Sequence, residues 1–240
     1  MTETILELPT LFAQATLSGS QREEMFALLS RHFEGVTRAQ FESDLAAKDW
    51  VIEIRHDERL VGFTTLRVTT AHFDGAPITV IYSGDTIVAP EAWGTPLLAR
   101  AWIAGVNRIR AAFGGQRCFW LLLTSGFRTY RFLPVFWREF FPRFGRPTPA
   151  GMHQLLVQLA GEGYGSQFDR TSGIVRFAQP QRLRGSLASV PNGRDANPHV
   201  AFFLARNPGH SRGDELVCVT EISAANLTAA GRRMVATPPR

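Results

Sequence analysis

Residues 118–123 read Cys-Phe-Trp-Leu-Leu-Leu, an apolar run with no polar break. A strand with one wet face alternates, so an unbroken run bounded by turn signals fits a strand covered on both faces. Upstream, Pro96 to Phe113 places Leu97, Leu98, Ala101, Trp102, Val106 and Ile109 at helical spacing with arginines opposite, and Gly114-Gly115 stops it. Before that helix, Ile78 to Val88 alternates as a strand that ends at Pro90. Strand, helix, strand in this order predicts a parallel crossover, and the rest of the sheet must be arranged around it.

Trp50 to Arg55 and Leu60 to Thr69 flank the polar turn His56-Asp-Glu-Arg59, and Asp74-Gly75 marks a second turn into the strand at Ile78. Three consecutive strands of an antiparallel meander follow from this. Ahead of them, Ser20-Gln-Arg-Glu23 has the spacing of a capping box for a helix carrying Met25, Leu28, Leu29 and Phe33, and Thr37 heads a second helix with Phe41 and Leu45 on one side. Beyond the apolar run, a helix is expected from about Thr129 to Phe141, started or interrupted by Pro134. From Pro147 to Asn197 glycine, proline and serine dilute the signal, leaving an apolar patch at Leu155 to Leu159 and a possible strand from Ile174 to Phe177, which predicts a partly flexible insertion. Val200-Ala-Phe-Phe-Leu and Glu215-Leu-Val-Cys-Val, joined by the turn-rich Asn207 to Gly213, predict a closing hairpin. The tail from Ser223 predicts a short amphipathic helix before Pro238-Pro239-Arg240. Together these elements predict one α/β (α+β) domain over residues 1–240, a mixed and mostly antiparallel sheet flanked by helices, with 146–197 as an insertion and 223–240 as a C-terminal tail.

The net charge of +5 is carried by arginine, because Lys48 is the sole lysine. Such a skew reads either as a compositional habit or as anion recognition through the guanidinium fork. The arginines are scattered, not gathered on one stripe, which argues against nucleic acid as a partner. Cys118 and Cys218 sit inside apolar runs and are expected to be buried free thiols, and no recognised metal-ligand spacing occurs. Met1 to Leu8 is acidic and unlike a signal peptide, and no apolar stretch approaches the ~18 residues of a spanning helix, so no transmembrane segment and a cytoplasmic address are expected.

Val88-Ala-Pro-Glu-Ala-Trp-Gly94 resembles the strand end and loop before the cofactor-binding helix of the GNAT acyltransferase superfamily. Phe141-Pro-Arg-Phe-Gly145 resembles the close of that family's next helix, and the element order is similar over residues 20–145 and 198–222. The resemblance implies a GNAT-like fold and direct transfer of an acyl group, without a covalent enzyme intermediate. The donor it implies is a thioester, acyl-CoA or acyl-carrier protein, and the acceptor an amine or hydroxyl of a small-molecule or lipid-like substrate. It places Trp93 and Gly94 in the loop that presents helix N-terminal amides to a pyrophosphate. The chain departs from the family at Trp93, where an Arg or Gln is usual, at Pro96 and Leu98, where small residues are usual, and at Phe141, often a tyrosine that protonates the leaving thiolate. A non-catalytic ligand-binding or interaction module on the same fold is therefore the alternative.

Four groups of residues are candidates for chemistry. Tyr82-Ser-Gly-Asp-Thr86 puts Ser83, Asp85 and Thr86 inside a strand. Asp85 is a candidate general base with Ser83 and Thr86 on the substrate, or the group is a bulge whose polar atoms satisfy one another. Thr124 to Tyr130 leaves the buried strand at its carboxyl end, where ligands bind in such sheets, so Ser125 and Arg128 are candidates to hold the donor and Tyr130 to supply a proton, with helix capping as the plain alternative. His199, with Asp214 or Glu215 across the expected hairpin, is a candidate oriented base, while His210 reads as a solvated turn residue. The aromatic set Phe132, Phe136, Trp137, Phe140, Phe141 and Phe144 reads as core, with room for an acyl pocket or a partner surface.

Overall fold

A computed structural model describes residues 10–187, 189–191 and 193–235. The acidic stretch Met1 to Leu8 and the terminal Pro238-Pro239-Arg240 lie outside the described residues. In chain order the first half gives β1 (Thr10–Ala13), α1 (Gly19–His32), β2 (Phe33–Glu34), α2 (Arg38–Ala46), β3 (Trp50–His56), β4 (Arg59–Phe73) and β5 (Ala76–Val88). The crossover helix α3 (Leu97–Ala112) leads into β6 (Cys118–Thr124), followed by the short helices α4 (Phe127–Tyr130) and α5 (Phe132–Phe136). The remainder comprises α6 (Ala150–Tyr164), β7 (Phe168–Asp169), β8 (Ile174–Val175), β9 (Arg182–Leu183), α7 (Pro198–Arg206), β10 (Glu215–Glu221) and α8 (Ala229–Val235).

One eight-stranded sheet runs in the order β1-β3-β4-β5-β6-β10-β8-β7, and β2 and β9 form a separate pair. Within the large sheet only β5 and β6 run parallel, joined by α3 as the crossover spacing requires. Strand alternation sorts β6 cleanly. Trp120 and Leu122 enter the core shared with α3, while Phe119, Leu121 and Leu123 enter the core shared with α6. Both faces are covered, which is why the run shows no polar break. At the other end of the sheet, α1 and α2 bury Met25, Leu29, Phe41 and Leu45 against Val51, Phe63 and Ile87. Cys118 and Cys218 are buried and free, and burial pushes the Cys118 thiol up to about 12. No helix among the described residues is long and apolar enough to cross a membrane.

The structure corrects four local expectations. The capping box of α1 is Ser18 with Gln21, not Ser20 with Glu23: the Ser18 hydroxyl accepts from the Gln21 amide and the Gln21 side chain accepts from the Ser18 amide. The helix expected from Thr129 to Phe141 ends at Phe136, after which the chain is extended and Phe141 exchanges main-chain hydrogen bonds with Val219 of β10. Val200 to Leu204 is helical, not a strand of a hairpin. Asn197 caps its free amides, Pro198 presets the first turn, and Val200 and Phe203 are buried one turn apart. Where diluted signals predict a partly flexible insertion, α6 forms a fifteen-residue helix whose Leu155, Leu156, Leu159 and Ala160 pack on the sheet, and the expected strand from Ile174 shrinks to the two residues of β8.

Candidate functional site

The parallel pair does not stay together. β5 and β6 pair from Thr79 and Cys118 to Ser83 and Leu122, and then separate. Beyond that step β5 follows β4 to Val88 while β6 follows β10 to Thr124. A bulge at Asp85 and Thr86, opposite the single residue Thr64, bends β5 away, with Asp85 at φ +41° in the left-handed region. Gly84 beside it leaves room for the Tyr82 ring, whose hydroxyl would lie 2.9 Å from a Cβ at this position. At the last paired step the Trp120 indole donates to Ser83 Oγ at 2.8 Å. A cleft of about 1460 Å³ opens from this point and is lined from both faces of the sheet.

On the α3 side the lining is aromatic and basic. Trp93 donates its indole hydrogen to the Val88 carbonyl at 2.8 Å, and the Arg128 guanidinium lies 4.2 Å from the Trp93 ring centre. Arg128 also donates to the Leu187 carbonyl at 3.1 Å, and among the described residues no carboxylate pairs with it. Burial, then repulsion from Arg194, lowers its pKa. Gly94, at φ +83°, turns the chain toward Pro96, the cap of α3. Pro96 therefore removes no amide that the helix start needs. The N–H groups of Leu97, Leu98 and Ala99 precede the first helical hydrogen bond, from Arg100 to Pro96. Deeper in lie Trp102, Phe132 and Phe136.

On the α6 side the lining is acidic and phenolic. Tyr82 of β5 and Tyr164 at the end of α6 stand edge to face with ring centres 6.4 Å apart. Burial raises both phenols, and Glu215 and Asp85 add to the effect. Glu215, the first residue of β10, touches the cleft, and no hydrogen-bond or ion-pair partner among the described residues holds its carboxylate. Burial, with Asp85 second, pushes its pKa up to about 8. Asp85 itself is fixed: its Oδ2 is 3.4 Å from Lys48 Nζ and 3.3 Å from Thr65 Oγ1. The Lys48 side chain is only 8% exposed and also donates to the Asp44 carbonyl at 3.0 Å. Asp44 is raised by burial and by Asp85.

Of the residues singled out in the sequence, Ser83, Asp85, Thr86, Trp93, Gly94, Ser125 and Arg128 border this cleft. Ser83 is engaged by Trp120, and Thr86 shares a 2.7 Å hydrogen bond with Thr64, so much of the bulge satisfies itself. Tyr130 must be corrected. It is 0% exposed, donates to the Pro142 carbonyl at 3.1 Å and packs on Phe140 and Phe203, because its helix turns it into the core. His199 must be corrected as well. Being on a helix, it rests against Phe140 and Phe144 instead of facing a carboxylate across a strand pair, and burial lowers its pKa. Phe141 is buried beside β10, away from the cleft. His210 does border the cleft, lowered by burial. Glu215 as a cleft acid, Tyr164 and Lys48 were not singled out from the sequence as cleft residues. Their only signal is Glu215 at the mouth of an apolar strand and Lys48 as a lone lysine.

No protein-family model matches this sequence, and no curated protein matches it. Among solved structures the chain is similar to a probable N-acyltransferase of Enterococcus faecalis, at 16% identity and a TM-score of 0.39, over 52% of this chain and 31% of that one. It thus spans less than a third of that protein's length. It is also similar to a GNAT family N-acetyltransferase (YhbS) of Escherichia coli solved with CoA, at 17% identity and a TM-score of 0.40, over 55% of this chain and 71% of that one. A third is an aminoglycoside acetyltransferase from an uncultured soil metagenomic sample solved with trehalose, at 16% identity and a TM-score of 0.36, over 49% of this chain and 78% of that one. These overlaps are partial, and the fold class follows from the strand order and pairing described above.

Proposed function

We propose that this chain, GNAT-like in the order and directions of its strands, transfers an acyl group from a thioester donor on the α3 side to an amine arriving from the α6 side. The observation that carries the reading is the parting of β5 from β6 after Ser83 and Leu122, with basic and aromatic lining on one face and carboxylates on the other. The donor's phosphates, present in coenzyme A and in the arm of a carrier protein alike, meet Arg128 and the free amides of Leu97 to Ala99. Gly94 allows the loop to reach them, and Ser125 stands at the same mouth.

The acceptor nitrogen attacks the thioester carbonyl, a C–N bond forms, the C–S bond breaks, and the nitrogen gives up a proton. Glu215 takes that proton, since a base is most useful with a pKa near the working pH. Tyr82 or Tyr164, held protonated, donates to the departing sulfur and is restored from Glu215. The amine attacks as the neutral base, its ammonium proton having gone to solvent on entry, and Asp85, ion-paired with Lys48, borders the acceptor side. His199 and Tyr130 have no part in this scheme.

The test is product formation from a CoA thioester and a panel of primary amines. Wild-type protein is expected to turn over faster as pH rises through about 8, where Glu215 loses its proton. Glu215→Gln is expected to lower the rate about 100-fold or more and to abolish that pH step while thioester binding persists. Trp93 in the loop, stacked with Arg128, favours a second reading, a binding module without turnover. Tight thioester binding with no product from any amine would select it.

A further inference from the structure

We propose that the donor's acyl group is bulky and apolar, about six carbons or more, and lies against the wall formed by Leu98, Trp102, Trp120, Phe132 and Phe136. This rests on the transferase reading and names the donor class that reading leaves open. The five side chains form one continuous surface. Trp102 and Trp120 stand 4.1 Å apart between ring centres, Phe132 sits 6.1 and 6.0 Å from them, and Phe136 sits 4.7 Å from Phe132. The two tryptophans are closed off, but Leu98, Phe132 and Phe136 are only half-buried, and what they leave uncovered borders the cleft.

Position decides what covers this surface. Trp120 is hydrogen bonded to Ser83 at the step where the strands part, so the wall begins where the reacting carbonyl must sit. Three things surround that carbonyl: the attacking amine from the α6 side, the sulfur arm leading out past Trp93 and Arg128, and the acyl tail. The tail is the one part with no other place to go. An acetyl group presents a single methyl, which leaves the uncovered parts of Leu98, Phe132 and Phe136 wet, an arrangement that wastes apolar burial. The indole N–H of Trp102 is buried without an acceptor among the described residues, so aromatic bulk is kept here at a polar cost.

The experiment is calorimetric titration of the full chain with CoA, acetyl-CoA, butanoyl-CoA, octanoyl-CoA and free octanoate. Octanoyl-CoA is expected to bind at least about tenfold more tightly than acetyl-CoA, with butanoyl-CoA between, since each buried methylene contributes several-fold. Leu98→Trp, which fills the space, and Phe132→Ala, which removes part of the wall, should each narrow the octanoyl-to-acetyl ratio to about threefold or less. Equal affinity across the wild-type series overturns the acyl inference and leaves the transferase reading standing. Free octanoate matching octanoyl-CoA assigns the wall to a fatty-acid ligand and likewise overturns it. Absence of binding by every thioester, CoA included, overturns the transferase reading and the inference together.

Discussion

The two faces of the sheet meet at one opening and are lined by opposite chemistry. Toward α3 the opening shows Arg128, Trp93 and an aromatic wall; toward α6 it shows Glu215, Asp85 and two tyrosines. The backbone geometry that separates them is elementary, because successive strand residues point to opposite faces: Trp120 and Leu122 go one way, Leu121 and Leu123 the other. What the contrast teaches is that one strand pair can keep buried carboxylates apart, within one sheet, from an arginine that has no carboxylate partner among the described residues. A bulge and a hydrogen bond fix where the separation ends.

Three substitutions break or sharpen this contrast, in falling order of effect. Lys48→Met removes the cation held against Asp85 and leaves that carboxylate uncompensated in a mostly closed site, so denaturant unfolding should show a loss of about 2–3 kcal/mol. The same change should raise Asp44 further and lift the pH of the activity step at Glu215, which a pH titration would read. Arg128→Ala acts on the other face alone. Thioester binding is expected to weaken about tenfold by calorimetry, with the pH step at Glu215 unmoved; a shift of that step would show that the faces are coupled. Ser83→Ala touches the seam. It strands the buried Trp120 indole N–H, and thermal unfolding should report a loss of about 1 kcal/mol.

Much of the architecture was legible because its signals are local. The meander β3 to β5, the crossover through α3 and the two-sided strand β6 each follow from periodicity and turn residues close in sequence. The stretch 198–206 was misread because Val-Ala-Phe-Phe-Leu suits a strand as well as a helix, although Asn197-Pro198 announced a helix start. Helix α6 was missed because Gly151, Gly161 and Gly163 weaken its propensity and no side chain caps it, while its stability comes from packing on the sheet. The site was legible only in outline. Asp85 and Arg128 could be placed near the end of the parallel pair by strand order alone. Glu215 could not, since its raised pKa arises from burial and from Asp85, a partner distant in sequence. Tyr130 was read as a proton donor because the sequence does not show which way its helix turns, and Tyr164 went unnoticed inside a helix that was itself missed.

A closed sheet is a partition, and the gap after Ser83 and Leu122 turns this one into a doorway between two rooms. Under the proposed chemistry, donor and acceptor meet at that doorway from opposite rooms, and turnover passes through a ternary assembly.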